Sequence, residues 1–151
     1  MQKNYEIIVE GEVISLLAYL NRISDSPDDT KKKKHKQFDK IRAAIEYLHL
    51  NIKNEIAVED VCEAVGLGTA QLSRLFVTYT GKTMIDYLNH VRCQYARNLF
   101  LTGNYSVRKC AEMCGFNNMS YFARKYRQIY GETLSETNNL LDADRSGKIQ
   151  N

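Results

Sequence analysis

The sequence predicts an all-α chain built from one helical unit written twice. Three observations carry that expectation. The residues Cys62, Gly66, Leu72, Arg74, Phe76, Gly81 and Thr83 recur as Ala111, Gly115, Phe122, Arg124, Tyr126, Gly131 and Thr133. The offset is 49 residues up to the first glycine and 50 after it, so the second turn is one residue longer. Each copy is a short apolar-periodic run, a glycine break, and a longer run with an arginine inside it. That is the layout of a helix-turn-helix, whose second helix enters the DNA major groove. Finally, Trp is absent and Pro27 is the one proline, so little interrupts helix formation.

The elements follow from spacing and punctuation. Residues 5–21 place Ile7, Ile8, Gly11, Ile14, Leu17, Ala18 and Leu20 at helical intervals on one apolar stripe. Ser24-Asp25-Ser26-Pro27-Asp28-Asp29 breaks that helix. Lys31–Lys34, His35 and Lys36 read as a solvated linker or the first turns of the next helix, with auxiliary contact to DNA or an acidic surface as the alternative. Phe38, Ile41, Ala44, Ile45, Leu48 and Ile52 predict a helix over about 38–52. A short helix at 58–65 stops at Gly66, and a second at 69–79 stops at Gly81, giving a first helix-turn-helix over 58–79. Thr83 and Asp86 form a capping box that opens a long connecting helix over about 83–101. Ser106 and Asn118 are the expected N-caps of helices at 107–114 and 119–129, a second helix-turn-helix over 106–130. Leu72, Leu75, Phe76, Phe116, Phe122 and Tyr126 read as core, and Gly66 and Gly115 as the turns. Residues 137–151 are polar and read as a frayed tail.

Composition bounds the function. A chain of 151 residues with 44% hydrophobic and 26% charged residues fits one globular domain with an appendage. A net charge of +3 is compatible with nucleic acid without requiring it. No apolar run is long enough to span a membrane, and Lys3, Glu6 and Glu10 interrupt any secretion signal. Four cysteines outside a secretory context read as free thiols in a reducing cytoplasm.

At this point the residues carry a family resemblance. Ile56-Ala-Val-Glu-Asp-Val-Cys-Glu-Ala-Val-Gly-Leu, Leu72-Ser-Arg-Leu-Phe, Thr80-Gly-Lys-Thr and Asp86-Tyr-Leu-Asn resemble the first half of an AraC/XylS-type DNA-binding domain. Ala111-Glu-Met-Cys-Gly-Phe and Ser120-Tyr-Phe-Ala-Arg-Lys-Tyr resemble its second half. The resemblance covers about residues 38–135. It implies two helix-turn-helix subdomains joined by a long helix, about seven helices in all, plus the appended N-terminal helix. It also implies a bacterial transcription regulator, often an activator, that binds double-stranded DNA and contacts RNA polymerase. The domain is expected over 37–136. Residues 1–36 resemble the end of a sensor or dimerisation domain, with 5–21 a candidate homodimer contact and the effector bound by a sensor domain absent here. Residues 1–36 are then dispensable for DNA affinity. Two departures from the family pattern stand out. Gly131-Glu-Thr-Leu-Ser-Glu-Thr has neither the usual proline nor the Tyr-Arg, which leaves the C-terminal cap without its usual support. Ala57 replaces the usual Ser or Thr before the first short helix and forgoes a cap of about 1 kcal/mol.

Mapped residue by residue, the family's base-reading positions fall on Ala70, Ser73 and Arg74 in the first unit. In the second they fall on Met119, Ser120, Ala123 and Arg124. An arginine can donate bidentately to guanine, while Ala70 and Met119 offer apolar contact to a thymine methyl. The alternative for either arginine is a phosphate or carboxylate partner. Lys82, Thr83, Lys125 and Arg127 are phosphate candidates, equally readable as solvated surface. The connecting helix, roughly 27 Å long at 1.5 Å per residue, suits two readings about one DNA turn apart on a monomer.

Other motifs are weaker. Gly81-Lys82-Thr83 lacks the glycine of a phosphate loop, because Phe76 stands in its place. Asp142-Ala-Asp144-Arg-Ser146-Gly147 resembles the start of a calcium loop, but its twelfth position falls beyond the sequence. A thiol- or metal-responsive module using Cys62, Cys93, Cys110 and Cys114 is the rival function. Cys110 and Cys114 lie one helical turn apart but lack further metal ligands nearby. No nucleophile–base constellation suggests an enzyme, and no cofactor or metal is expected.

Overall fold

A computed structural model describes residues 29–137, with side chains from residue 32. The expected helix at 5–21, the calcium-like segment at 142–149 and the tail from 138 lie outside the described residues. The described residues form six helices and a last helical turn at 134–137, with no strand. In chain order they are α1 (Asp29–Leu50), α2 (Val58–Val65), α3 (Thr69–Thr80), α4 (Met84–Leu101), α5 (Val107–Met113) and α6 (Met119–Tyr130). They divide into two compact units. The first holds α1 through Tyr47 with residues 57–81; the second holds residues 48–56 and the chain from Lys82 onward.

α1 begins at Asp29, well before the start near residue 38 that its apolar stripe predicts. The lysine run is therefore helix, not linker. Lysine and glutamine are good helix formers, so the run needs no apolar face. Its side chains from Lys32 to Lys36 are exposed. The helix ends at Leu50, and Ile52 is buried from the following turn.

In the first unit, Ile41, Ala44, Val61, Cys62, Leu72, Leu75 and Phe76 are buried, as the stripes predict. α2 starts without a side-chain cap at Ala57. Asp60 supplies half of a capping box instead, its Oδ2 accepting from the Ala57 N–H at 3.0 Å. α2 stops at Gly66, whose φ of 61° and ψ of 49° are left-handed. Lys40 of α1 reaches across and donates to the Val65 and Gly66 carbonyls at 2.7 and 2.8 Å. A cation at a helix C-terminus meets both open carbonyls and the negative end of the dipole.

The second unit packs α5 and α6 on α4. Its core joins Cys93, Ala96, Cys110, Ala111, Cys114, Phe116, Phe122, Tyr126 and Leu134. Each helix is capped as its sequence suggests. Thr83 accepts from the Asp86 N–H at 3.1 Å, Ser106 from Lys109 at 3.3 Å, and Asn118 from Tyr121 at 2.9 Å. The break is again a left-handed glycine, Gly115, at φ 84°. Arg92 fastens residues 48–56 beside it, donating to the Ile52 carbonyl at 2.9 Å and the Asn54 carbonyl at 2.6 Å.

The segment after Gly131 closes the core without the family's proline or Tyr-Arg. Thr133 Oγ1 donates to Glu136 Oε2 at 2.9 Å, and that same oxygen accepts from the Thr133 N–H at 2.7 Å. Leu134 and Thr137 are buried, and Thr137 lies 2.9 Å from the Tyr126 hydroxyl. Thr137 therefore belongs to the fold, not to a frayed tail.

Among the described residues, Gly115 should be the least replaceable glycine. A Cβ there would lie 2.6 Å from the Ile52 carbonyl oxygen, whereas at Gly81, also left-handed, it would meet nothing within 4 Å. Gly81→Ala should cost about 1–2 kcal/mol from backbone strain alone, and Gly115→Ala clearly more. Denaturant titration of both variants measures the difference.

Candidate nucleic-acid interface

Each unit presents one helix with a buried side and a bare side. On α3, Leu72, Leu75 and Phe76 face inward. Ala70, Ser73 and Arg74, the first-unit candidates, are all exposed and fall at i, i+3 and i+4 of one row. Val77, 45% exposed, continues that row at i+7. Helical spacing from Arg74 was the signal that would have named it. α3 carries no carboxylate, and among the described residues Arg74 has no ion-pair partner. The helix starts at Gly68 without a side-chain cap, which leaves its first N–H groups open to an acceptor from outside.

On α6, Phe122 and Tyr126 face inward, while Ser120, Ala123, Arg124 and Arg127 are exposed. This helix also lacks carboxylates. The Arg124 guanidinium lies 5.4 Å from the Tyr121 ring centre, a stacking contact that restrains it without satisfying its donors. Met119 is half-buried and packs against the second-unit core, so only part of its side chain is presented.

The phosphate candidates separate. Arg127 is exposed. Lys125 is largely covered, with a side-chain exposure of 18%, and its Nζ donates to Asp86 Oδ1 at 3.1 Å. The Thr83 hydroxyl donates to Asp86 Oδ2 at 2.8 Å as well as capping α4. Lys82 is exposed and adds positive potential near Asp86. The Thr83 hydroxyl bond, then Lys125, hold the Asp86 carboxyl below the usual carboxylate range. Lys82, Asp86, Asn89, His90, Lys125, Gln128 and Ile129 line an open cleft of about 330 Å³ on this unit.

The four cysteines are free and buried. Burial pushes the Cys93 and Cys114 thiols up to about 12 and raises Cys110 as well. Protonated, covered thiols are poor nucleophiles and poor metal ligands. Among the described residues no group of three or more His, Cys, Asp or Glu is placed to hold a metal. Nor is any helix long and apolar enough to cross a membrane.

Comparison with known proteins agrees with this geometry. A family described as a helix-turn-helix domain matches residues 61–139, just over half of the chain. The regulatory protein PocR of Salmonella typhimurium is 31% identical over 94 residues, covering 62% of this chain and 31% of PocR. The chain thus spans about a third of that relative's length. A solved structure of a probable AraC family transcriptional regulator from Rhodopseudomonas palustris CGA009 is 32% identical. It superposes with a TM-score of 0.61, over 66% of this chain and 94% of that one. The DNA-binding domain of AdpA, a global transcriptional factor solved in complex with a target DNA, shares the fold. It does so at 21% identity and a TM-score of 0.65, covering 70% of this chain and 96% of that one.

Two measurements check the local chemistry. The Asp86 carboxyl is depressed in the folded state, so its contribution to stability is present above the unfolded value of about 3.9. That contribution is lost as pH falls through the lower folded value. The stability gap between wild type and Asp86→Asn should be flat from pH 5 to 8 and close below about pH 4, read by denaturant titration at each pH. In the native chain at pH 7.5, Cys93, Cys110 and Cys114 should resist a disulfide reagent over minutes, and all should react once the chain is unfolded. Rapid native modification of any of the three would revive the thiol-sensor reading.

Proposed function

The chain belongs to the AraC family of helix-turn-helix DNA-binding domains, and we propose that it is a sequence-specific DNA-binding transcription regulator reading duplex DNA with α3 and α6. The observation that carries this is the pair of acid-free helix faces. Each has an exposed arginine with no carboxylate partner among the described residues, and a buried inner side, Leu72, Leu75 and Phe76 on α3 and Phe122 and Tyr126 on α6. A helix meant for solvent needs no such exclusion of acid, while a carboxylate would repel a phosphate-lined groove. What AdpA's solved complex shows of AdpA, binding to a target DNA, supports the same partner here.

In this reading α3 enters one major-groove segment and α6 the next. Arg74 and Arg124 donate to guanine edges, Ser73 and Ser120 bond adaptable base edges, and Ala70, Ala123 and the exposed part of Met119 contact thymine methyls. Arg127 and the open start of α3 hold phosphates. Lys125 and Thr83 support α4 through Asp86, not the DNA. Lys82 remains a phosphate candidate. The regulator acts in the bacterial cytoplasm and its bound form contacts RNA polymerase.

Selection of bound sites from random DNA tests the assignment. Arg74→Ala should relax preference at one position and cost about 1–3 kcal/mol on the selected site. Arg124→Ala should do the same about one helical turn away, roughly additively. Unchanged preference in both variants with a uniform loss of affinity would move the two arginines from bases to phosphates.

A further inference from the structure

The two helix-turn-helix units are unequal in charge. The second has Arg108, Lys109, Arg124, Lys125 and Arg127 on α5 and α6 against one carboxylate, Glu112. The first has Glu59, Asp60 and Glu63 on α2 against Arg74 as the only cation of α2 and α3. By its own two helices, the first unit would be pushed away from a phosphate backbone. Yet its α3 carries the face best suited to enter a groove.

The missing positive charge lies in the same unit, at the start of α1. Lys32, Lys33, Lys34 and Lys36 are exposed on continuous helix, and among the described residues none has an ion-pair partner. Within the described side chains of that stretch, Asp39 lies beside His35, at 3.6 Å, and not beside a lysine. The run is also fixed in place. The Tyr79 hydroxyl, from the last turn of α3, donates to the Lys34 carbonyl at 3.3 Å, and the Tyr79 and Phe38 rings meet edge-on at 5.9 Å. Tyr79 follows Arg74 by five residues, about 7.5 Å along the helix. The lysines are thus anchored to the end of the recognition helix they would serve, and no flexible tether has to be ordered on binding.

We propose that the lysine run at the start of α1 is the phosphate clamp of the first helix-turn-helix, gripping the DNA backbone beside the segment that α3 reads. This rests on the DNA-binding reading above. It also revises the expectation that residues 1–36 are dispensable, because those from Asp29 onward are part of the first unit's own helix.

The test is a salt titration of the full chain on a duplex chosen by site selection, comparing wild type with Lys32→Gln, Lys33→Gln, Lys34→Gln and Lys36→Gln combined. Glutamine keeps helix propensity, and far-UV circular dichroism verifies that α1 remains. Each lost phosphate contact lowers the slope of log K against log salt by about 0.9, so four should lower it by about 2–4 units. Sequence preference should stay as in wild type, and the matching Lys→Arg combination should restore the slope. If the slope is unchanged while wild type still binds selectively, the clamp is refuted and the lysines face another partner such as an acidic protein surface. Failure of wild type to prefer any sequence would overturn the DNA-binding reading and this inference with it.

Discussion

The structure depends on two abrupt helix stops made by left-handed glycines. A recognition helix can show a bare face only if the helix before it ends sharply and the chain turns at once. Gly66 and Gly115 make that turn at φ of 61° and 84°, a backbone that costs a side chain about 1–2 kcal/mol. Each is locked by a cation from a long helix. Lys40 binds the carbonyls at the Gly66 turn directly. Arg92 binds the 48–56 segment, which crowds Gly115 so closely that no Cβ fits. Everything outward of these turns, the start and direction of α3 and α6, inherits their geometry.

Beyond that shared device the repeats diverge. The second unit caps its helices with Ser106 and Asn118, whereas the first begins α2 at Ala57 and α3 at Gly68 with no side-chain cap. The missing Ala57 cap is partly replaced, because Asp60 reaches back to the Ala57 N–H. The start of α3 is not replaced at all. An uncapped N-terminus loses some folding free energy but leaves N–H groups available to an anion. In a unit whose α2 is acidic, that open end and the α1 lysines are the features that favour a polyanion.

Much of this was legible because it rests on local chemistry. Helix stops at glycine, caps at Thr83, Ser106 and Asn118, and the burial of Leu72, Phe76, Phe122 and Tyr126 all follow from residues within one or two turns of each other. What was not legible falls into two kinds. The start of α1 was hidden because a lysine-rich helix with no apolar stripe has no period to detect. The half-burial of Met119 and the Asp86–Lys125 pair, 39 residues apart in sequence, needed the tertiary fold. The closing turn belongs with the legible features, since Thr133 followed by Glu136 repeats the Thr83–Asp86 spacing.

On the proposed reading, the two faces should also differ in how they discriminate. Arg74 stands among small side chains, Ala70 and Ser73, which fill little of a groove and leave most of the information in that half to one bidentate donor. Arg124 is already held against Tyr121. Tyr121 is fixed in turn by Asn89, whose Nδ2 donates to the tyrosine hydroxyl at 2.8 Å from a position 4% exposed on α4. A long side chain that is ordered before binding loses less conformational entropy on contact. The second face therefore pairs a restrained reading arginine with its own positive charge. The first pairs a freer arginine with charge supplied from α1. One repeat is preorganised by packing, the other positioned by electrostatics, and the common glycine turns let both use the same backbone.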